Sequence, residues 1–293
     1  MSFVSYLIAG ISLGSIYAIM ALGYTMVYGI AKMLNFAHGD VIMIGSYVVF
    51  YAINSYGLPP VVSIALSVVV CTCLGIVIEK VAYKPLRRAA SLAVLITAIG
   101  VSYLLENLAL LFFGSDSKSF PDALGLSTIS LAGGKLQIPG TTIFTIVVCV
   151  IIMVCLMLFI KRTKAGQAML AVSEDKDAAQ LMGVNVNATI SLTFAIGSGL
   201  AAIAGVLLCS QYHVLNPYTG ALPGIKAFTA AVFGGIGSIP GAFVGGLLLG
   251  IIEDLSSAYI SSQLANAIVF AVLIVVLLLK PTGLFGKVVR EKV

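Results

Sequence analysis

The feature that most constrains this chain is a succession of apolar runs, each close to the length of one bilayer crossing. About 20 residues of helix span the hydrocarbon core of a membrane. Runs of that order lie at 4–28, 39–54, 60–79, 91–113, 141–160, 188–210 and 262–279. Only 9% of the 293 residues are charged, whereas 60% are hydrophobic. Soluble domains carry about 25% charged residues, so this chain lacks the material for a water-facing surface. The expected fold class is all-α: a polytopic helical membrane protein of about eight to nine membrane segments. A single transmembrane domain is expected over residues 1–293, because no polar stretch exceeds about 30 residues. Residues 1–31 have no basic start and stay apolar too long for a signal peptide, so the first helix is expected to be retained.

Basic clusters set the orientation. Lys80, Lys84, Arg87 and Arg88 form one, Lys161, Arg162 and Lys164 a second, and Lys280, Lys287, Arg290 and Lys292 a third. Such clusters mark cytoplasmic loops. The loop 114–140 sets Lys118 and Lys135 against Asp116 and Asp122 and reads as outside, as does the N-terminus. The net charge of +5 is therefore a topological signal, not a nucleic-acid footprint.

Parity makes residues 225–256 unusual. They must cross an even number of times, or enter and leave by one face, to put the basic tail inside. Thirty-two residues make about 48 Å of helix, too long for one span and too short for two. In their middle stand Gly234, Gly235, Gly237, Ser238, Pro240 and Gly241. Glycine and proline break helices, so two half-helices meeting at a glycine turn within the membrane are expected. Such a break must be buried in protein or line a cavity. An eight-span reading with the tail outside is the alternative, and the charge rule argues against it. Asn35–Asp40 leading into a helix with Gly45 and Ser46 resembles Gly237–Gly241 leading into one with Gly245 and Gly246, as an internal repeat or a shared glycine-rich composition would. Gly241–Gly245 and Gly246–Gly250 have the spacing of close helix packing.

The segment 161–187 is polar yet helix-forming. Ser173 is an expected N-cap, with Glu174, Asp175 and Asp177 in the first turn. Ala178, Leu181 and Met182 recur at helical spacing as a small apolar face, and Gly183 suits the stop. A plain connector needs about two to eight residues, and a helix this short needs packing to persist. A docking role follows.

Polar residues within the spans have two readings each. Asn35, His38 and Asp40, beside Gly39, stand at a helix start, where capping is favoured over substrate contact. Glu106, next to Asn107, must face protein or water, as an interhelical hydrogen bond or a pathway residue. Glu253 and Asp254 read as a solvated helix end, and Lys226 as a snorkelling side chain. The five cysteines lie in apolar runs and are expected to be free thiols. No G-x-x-x-x-G-K-[ST] loop, H-E-x-x-H, zinc spacing or G-x-S-x-G occurs in the sequence. The chain is expected to bind neither ATP nor any cofactor itself and not to be an enzyme.

Five motifs carry a family resemblance: Leu34–Gly39, Tyr83–Arg87, Lys161–Gly166 followed by Ala178-Ala179 and Gly183–Asn185, Phe233–Gly241, and Lys280–Gly286. Together they resemble the permeases of branched-chain amino acid ABC importers, LivH-type subunit, over essentially the whole chain. The resemblance implies half of a translocation pathway in a bacterial cytoplasmic membrane. A second related permease, two ATP-binding subunits and an extracytoplasmic binding protein would complete the importer. The coupling role maps onto Glu174, Ala178, Ala179, Leu181, Met182 and Gly183. Asn35, His38, Gly39, Glu106, Gly235, Gly237, Ser238, Pro240 and Gly241 are the pathway and broken-helix candidates. A urea or short-chain amide permease and an ion-coupled secondary transporter are the competing readings.

Overall fold

A computed structural model describes residues 2–87, 89–131 and 136–286. Arg88, Lys135, Lys287, Arg290 and Lys292, used above for orientation, lie outside these residues. The order is α1 (Ser2–Ala31), α2 (His38–Asn54), α3 (Pro60–Ile78) with a π-helical and 3₁₀ extension to Leu86, and α4 (Ser91–Phe113). Then come β1 (Lys118–Ser119), β2 (Ile129–Leu131), β3 (Leu136–Ile138), α5 (Gly140–Arg162), α6 (Lys164–Glu174), α7 (Lys176–Leu181) and α8 (Val186–Tyr212). The chain continues through β4 (Val214–Leu215), α9 (Ala221–Gly234), α10 (Ile239–Tyr259) and α11 (Ala265–Leu279).

Six helices are long and apolar enough to cross a membrane: α1, α3 with its extension, α4, α5, α8 and α10. The class is an all-α membrane protein. The strands are short clips: β2 pairs with β3, and β1 pairs antiparallel with β4. The β1–β4 pair ties the loop after α4 to the loop after α8, so both lie on one face.

Helices α1 and α8 form the centre. In α8 buried residues face every direction, from Thr189 to Ser210. A helix apolar all round belongs inside a bundle. Around it α1 packs antiparallel on α10 with backbones nearly touching. A Cβ at Gly10 would lie 2.9 Å from Ile251 Cα, and one at Gly14 2.7 Å from the Leu247 carbonyl. Gly246 and Gly250 press in return on the backbones of Ala18 and Gly14, while Gly241 and Gly245 press on Gly234 and Ala230 of α9. The two glycine pairs thus serve two different neighbours, as close packing requires.

The region 225–256 differs from the expected pair of half-helices. Helix α9 has 14 residues, but α10 has 21 and is a full span. Gly237 lies against Gly29, two residues from the end of α1. The turn therefore sits near the basic face and not at mid-depth. Its tight geometry is real: Gly235 has φ +107° and Gly237 φ +93°, where L side chains are strained. The tail after α11 closes it, Leu284 N donating to Phe233 O (3.0 Å) and Phe285 N to Gly234 O (2.9 Å). These amides satisfy carbonyls at the C-terminus of α9, which would otherwise have no partners.

The mid-depth breaks lie elsewhere. The segment 32–37 climbs back along α1 before α2 begins, placing the His38 ring where a Cβ on Gly23 would be. Gly23 is about 12 Å along the helix from Ala31. Helix α9 begins beside the same point, Gly39 lying against Gly220 and Gly224. Thus α2 meets the start of α9.

Replacing Gly250 by Val should destabilise the protein by about 1–3 kcal/mol through overpacking. Gly100→Ala, where an added Cβ meets nothing within 4 Å, should be neutral or stabilising. Thermal unfolding of the purified variants in detergent checks both.

Candidate functional site

Three sites combine polar chemistry with special backbone. The first is the coupling surface. Asp175, not Ser173, caps α7: its Oδ1 accepts from Asp177 N and Ala178 N, both at 2.9 Å. Ser173 is inside α6 and donates to Leu170 O (2.7 Å). An aspartate is the better cap here because its charge also suits a helix N-terminus. Glu174 closes α6. Gly183 has φ +83°, the stop expected for a glycine.

The face of α7 is split. Ala179 is buried against the body at 5% exposure, while Leu181 and Met182 are 89% and 84% exposed. Ala178 is exposed as well. Beneath α7, α6 is anchored by buried Met169 and Val172 and by Gly166 pressed onto Ile160. Lys176 Nζ donates to Ala31 O (2.8 Å), a last carbonyl of α1. Burial lowers the Lys176 pKa first, and the positive charges of Arg87 and Lys32 lower it further, against Asp177. This cation at a helix C-terminus joins the polar segment directly to α1.

The second site clips two motifs together beside it. Tyr83 OH donates to Asn35 Oδ1 (3.0 Å) and lies 3.2 Å from Leu34 O, its ring against Phe194. Neither Asn35 nor Asp40 caps α2; Ala37 occupies that position without a side-chain bond. Asn35 is an acceptor for the end of α3 instead. Fully buried Glu79 pairs with Arg87 and accepts from Ser191 of α8, and Arg87 also reaches Asn187. Glu79 was not singled out in the sequence. Its signal was a carboxylate at the end of an apolar run with arginine two helical turns on.

The third site is the crossing of α2 with α9. His38 is buried, packs on Tyr24 at 4.6 Å between ring centroids, and its Nε2 has no hydrogen-bond partner. Tyr24 and Phe36 both contact Phe228 of α9. Asp40 is buried, accepts from Ser102 of α4 and lies within electrostatic reach of Glu106, also buried. Asn107 donates to Tyr103 O (2.7 Å) on its own helix and is not Glu106's partner. The structure thus brings His38, Gly39, Asp40 and Glu106 near one crossing. Gly235, Gly237, Ser238, Pro240 and Gly241 belong to the separate turn, where Ser238 Oγ accepts from Gly241 N (3.2 Å). Glu253 is not a solvated helix end and Lys226 does not snorkel: they form an ion pair of 2.6 Å, with side chains 14% and 6% exposed. Asp254 remains beside it on α10.

All five cysteines are free, and no cluster of metal-binding side chains occurs among the described residues. Six long apolar helices define a polytopic membrane protein. The family described as "Branched-chain amino acid transport system / permease component" matches residues 6–277, and the chain belongs to it. It is 44% identical over 99% of its length, and 98% of the relative's, to "High-affinity branched-chain amino acid transport system permease protein LivH" of Salmonella typhimurium. It is 46% identical, with the same coverage, to the corresponding protein BraD of Pseudomonas aeruginosa. A "Probable branched-chain amino acid transport permease protein LivH" of Methanocaldococcus jannaschii is 30% identical over 92% of this chain and 88% of the relative.

Arg87→Met leaves the Glu79 carboxylate buried without its cation. It should cost about 3–5 kcal/mol, read as a large fall in thermal midpoint. Glu79→Gln with Arg87→Met should recover part of that loss.

Proposed function

We propose that this chain is the membrane-spanning permease subunit of an ATP-driven importer of branched-chain amino acids, forming half of its translocation pathway. The observation that carries the reading is 44–46% identity, over nearly the whole of both proteins, to the branched-chain amino acid permeases LivH and BraD. The importer sits in the bacterial cytoplasmic membrane. A second related permease completes the pathway, two ATP-binding subunits drive it, and an extracytoplasmic binding protein delivers substrate. The chain is one permease domain with its coupling loop at 161–187. Shorter α2, α9 and α11, at 17, 14 and 15 residues, are membrane-embedded with the six long helices.

Coupling is assigned to α7. Exposed Leu181 and Met182 on an otherwise anchored segment offer the ATPase an apolar handhold. A push on that surface passes through Lys176 to the end of α1 and along the glycine seam to α10. His38, Gly39 and Glu106 flank the pathway near the α2–α9 crossing. The glycine turn 235–241, closed by the tail, is the hinge between α9 and α10. An ion-coupled secondary transporter has no use for such a handhold.

Reconstituted with its partners in proteoliposomes, the complex should take up leucine only with ATP and the binding protein present. Uptake that persists without ATP and collapses with an ion gradient overturns the reading. Urea competing away leucine would point to the amide class instead. Leu181→Glu with Met182→Glu should lower both co-purification of the ATPase subunits and uptake by about tenfold or more, with little change in thermal midpoint.

A further inference from the structure

A cavity of ≈ 250 Å³ lies against the Lys226–Glu253 pair. Its wall includes Tyr17, Tyr212, Asn216 and Thr219, with Leu208, Val214 and Pro223 as the apolar part. At about 30 Å³ per water the space is on the order of eight waters, the size of a free amino acid and too small for a peptide. Tyr17 is buried at its floor, while Tyr212, the last residue of α8, and Val214 after it are exposed, so the cavity opens beside the loop that follows α8. Segment 213–220, which leads down from the outer face into α9, forms one side of it.

An ion pair at such a place is expensive. Charges inside a membrane bundle carry a desolvation penalty that their attraction only partly offsets, and they commonly line substrate paths. This pair is also held ready. Glu253 Oε2 accepts from Tyr17 OH (3.0 Å), while Lys226 Nζ sits 5.8 Å from the Tyr17 ring centroid. Both charges therefore keep a neighbour when they separate.

We propose that the Lys226–Glu253 pair is the transit site for the zwitterionic headgroup of the amino acid; the occupant rests on the importer function above, whereas the site rests on the cavity and the pair. The ammonium of the substrate replaces Lys226 on Glu253, and its carboxylate replaces Glu253 on Lys226. Two opposite charges exchange partners with two others, so net charge is zero before, during and after passage. The side chain lies on Leu208, Val214 and Pro223. A lone carboxylate would leave Glu253 unpaired, an amine would leave Lys226 unpaired, and a neutral amide would not open the pair. The site thus selects the headgroup, and its apolar wall selects the side chain.

The test uses the reconstituted complex with radiolabelled leucine and saturating binding protein. Glu253→Gln and Lys226→Met should each lower the maximal uptake rate by about tenfold or more, while the apparent KM, set by the binding protein, stays put. The swap Lys226→Glu with Glu253→Lys keeps a pair and should restore the thermal midpoint but not uptake, because the headgroup would then have to turn over. Val214 is 46% exposed, so Val214→Trp should fold and narrow the cavity without touching the pair. It should also lose uptake, and it decides the matter if the single charge variants fail to fold. Folded variants that transport at the wild-type rate overturn the site, as does a swap that restores both stability and uptake. If the unmodified complex fails to carry leucine, the importer reading falls and takes the occupant with it.

Discussion

Backbone contact between α1 and α10 is the constraint on which the rest of the structure depends. Lipid tails are as apolar as leucine, so burying leucine between helices gains little inside a membrane. What remains is close packing, and close packing needs the absence of side chains. Gly10 and Gly14 on one helix and Gly246 and Gly250 on the other provide it. The seam sets the register between the two helices. That register decides that the 235–238 turn falls at the basic end and that the Glu253 side chain comes within reach of the Tyr17 hydroxyl. A larger residue at any of these glycines would move both.

The motifs that stand out singly in the chain act in pairs. Tyr83 reaches back to Asn35 and Leu34, joining two stretches 48 residues apart. Tail amides of Leu284 and Phe285 close the carbonyls of Phe233 and Gly234. Each pairing solves the same problem, because an irregular backbone in a bundle has polar groups that no helix satisfies. The loop before α2 and the end of α9 are the irregular pieces, and each has a dedicated partner. Lys176 does the same for the end of α1, so the polar segment is part of the bundle rather than a tether below it.

Buried charge has a similar logic. Glu79 with Arg87 and Glu253 with Lys226 are the ion pairs found among the described residues. The first lies where α3, its extension and α8 converge, with the Ser191 hydroxyl and the Asn187 amide as further partners. That arrangement locks helices. The second opens on a cavity and leaves room for another molecule. Equal chemistry therefore has different consequences, and the difference is empty space.

Membrane class and the long spans were legible in the sequence, because each depends on local composition and period. A run of about 20 apolar residues has one stable place in a cell whatever its neighbours do. Gly183 was legible for the same reason, since a helix stop is a local event. The α7 cap was misplaced because Ser173 and Asp175 are both good cap residues, and the break after α6 chose between them. The half-helix reading failed because glycines at 234–241 mark a turn but carry no depth. Only packing against Gly29 supplied that. Partners of Glu253, Lys226 and Asn35, and the Ser191 partner of Glu79, were invisible for the deepest reason. They lie tens to hundreds of residues away in the chain, and only the crossing of helices at glycine contacts brings them together.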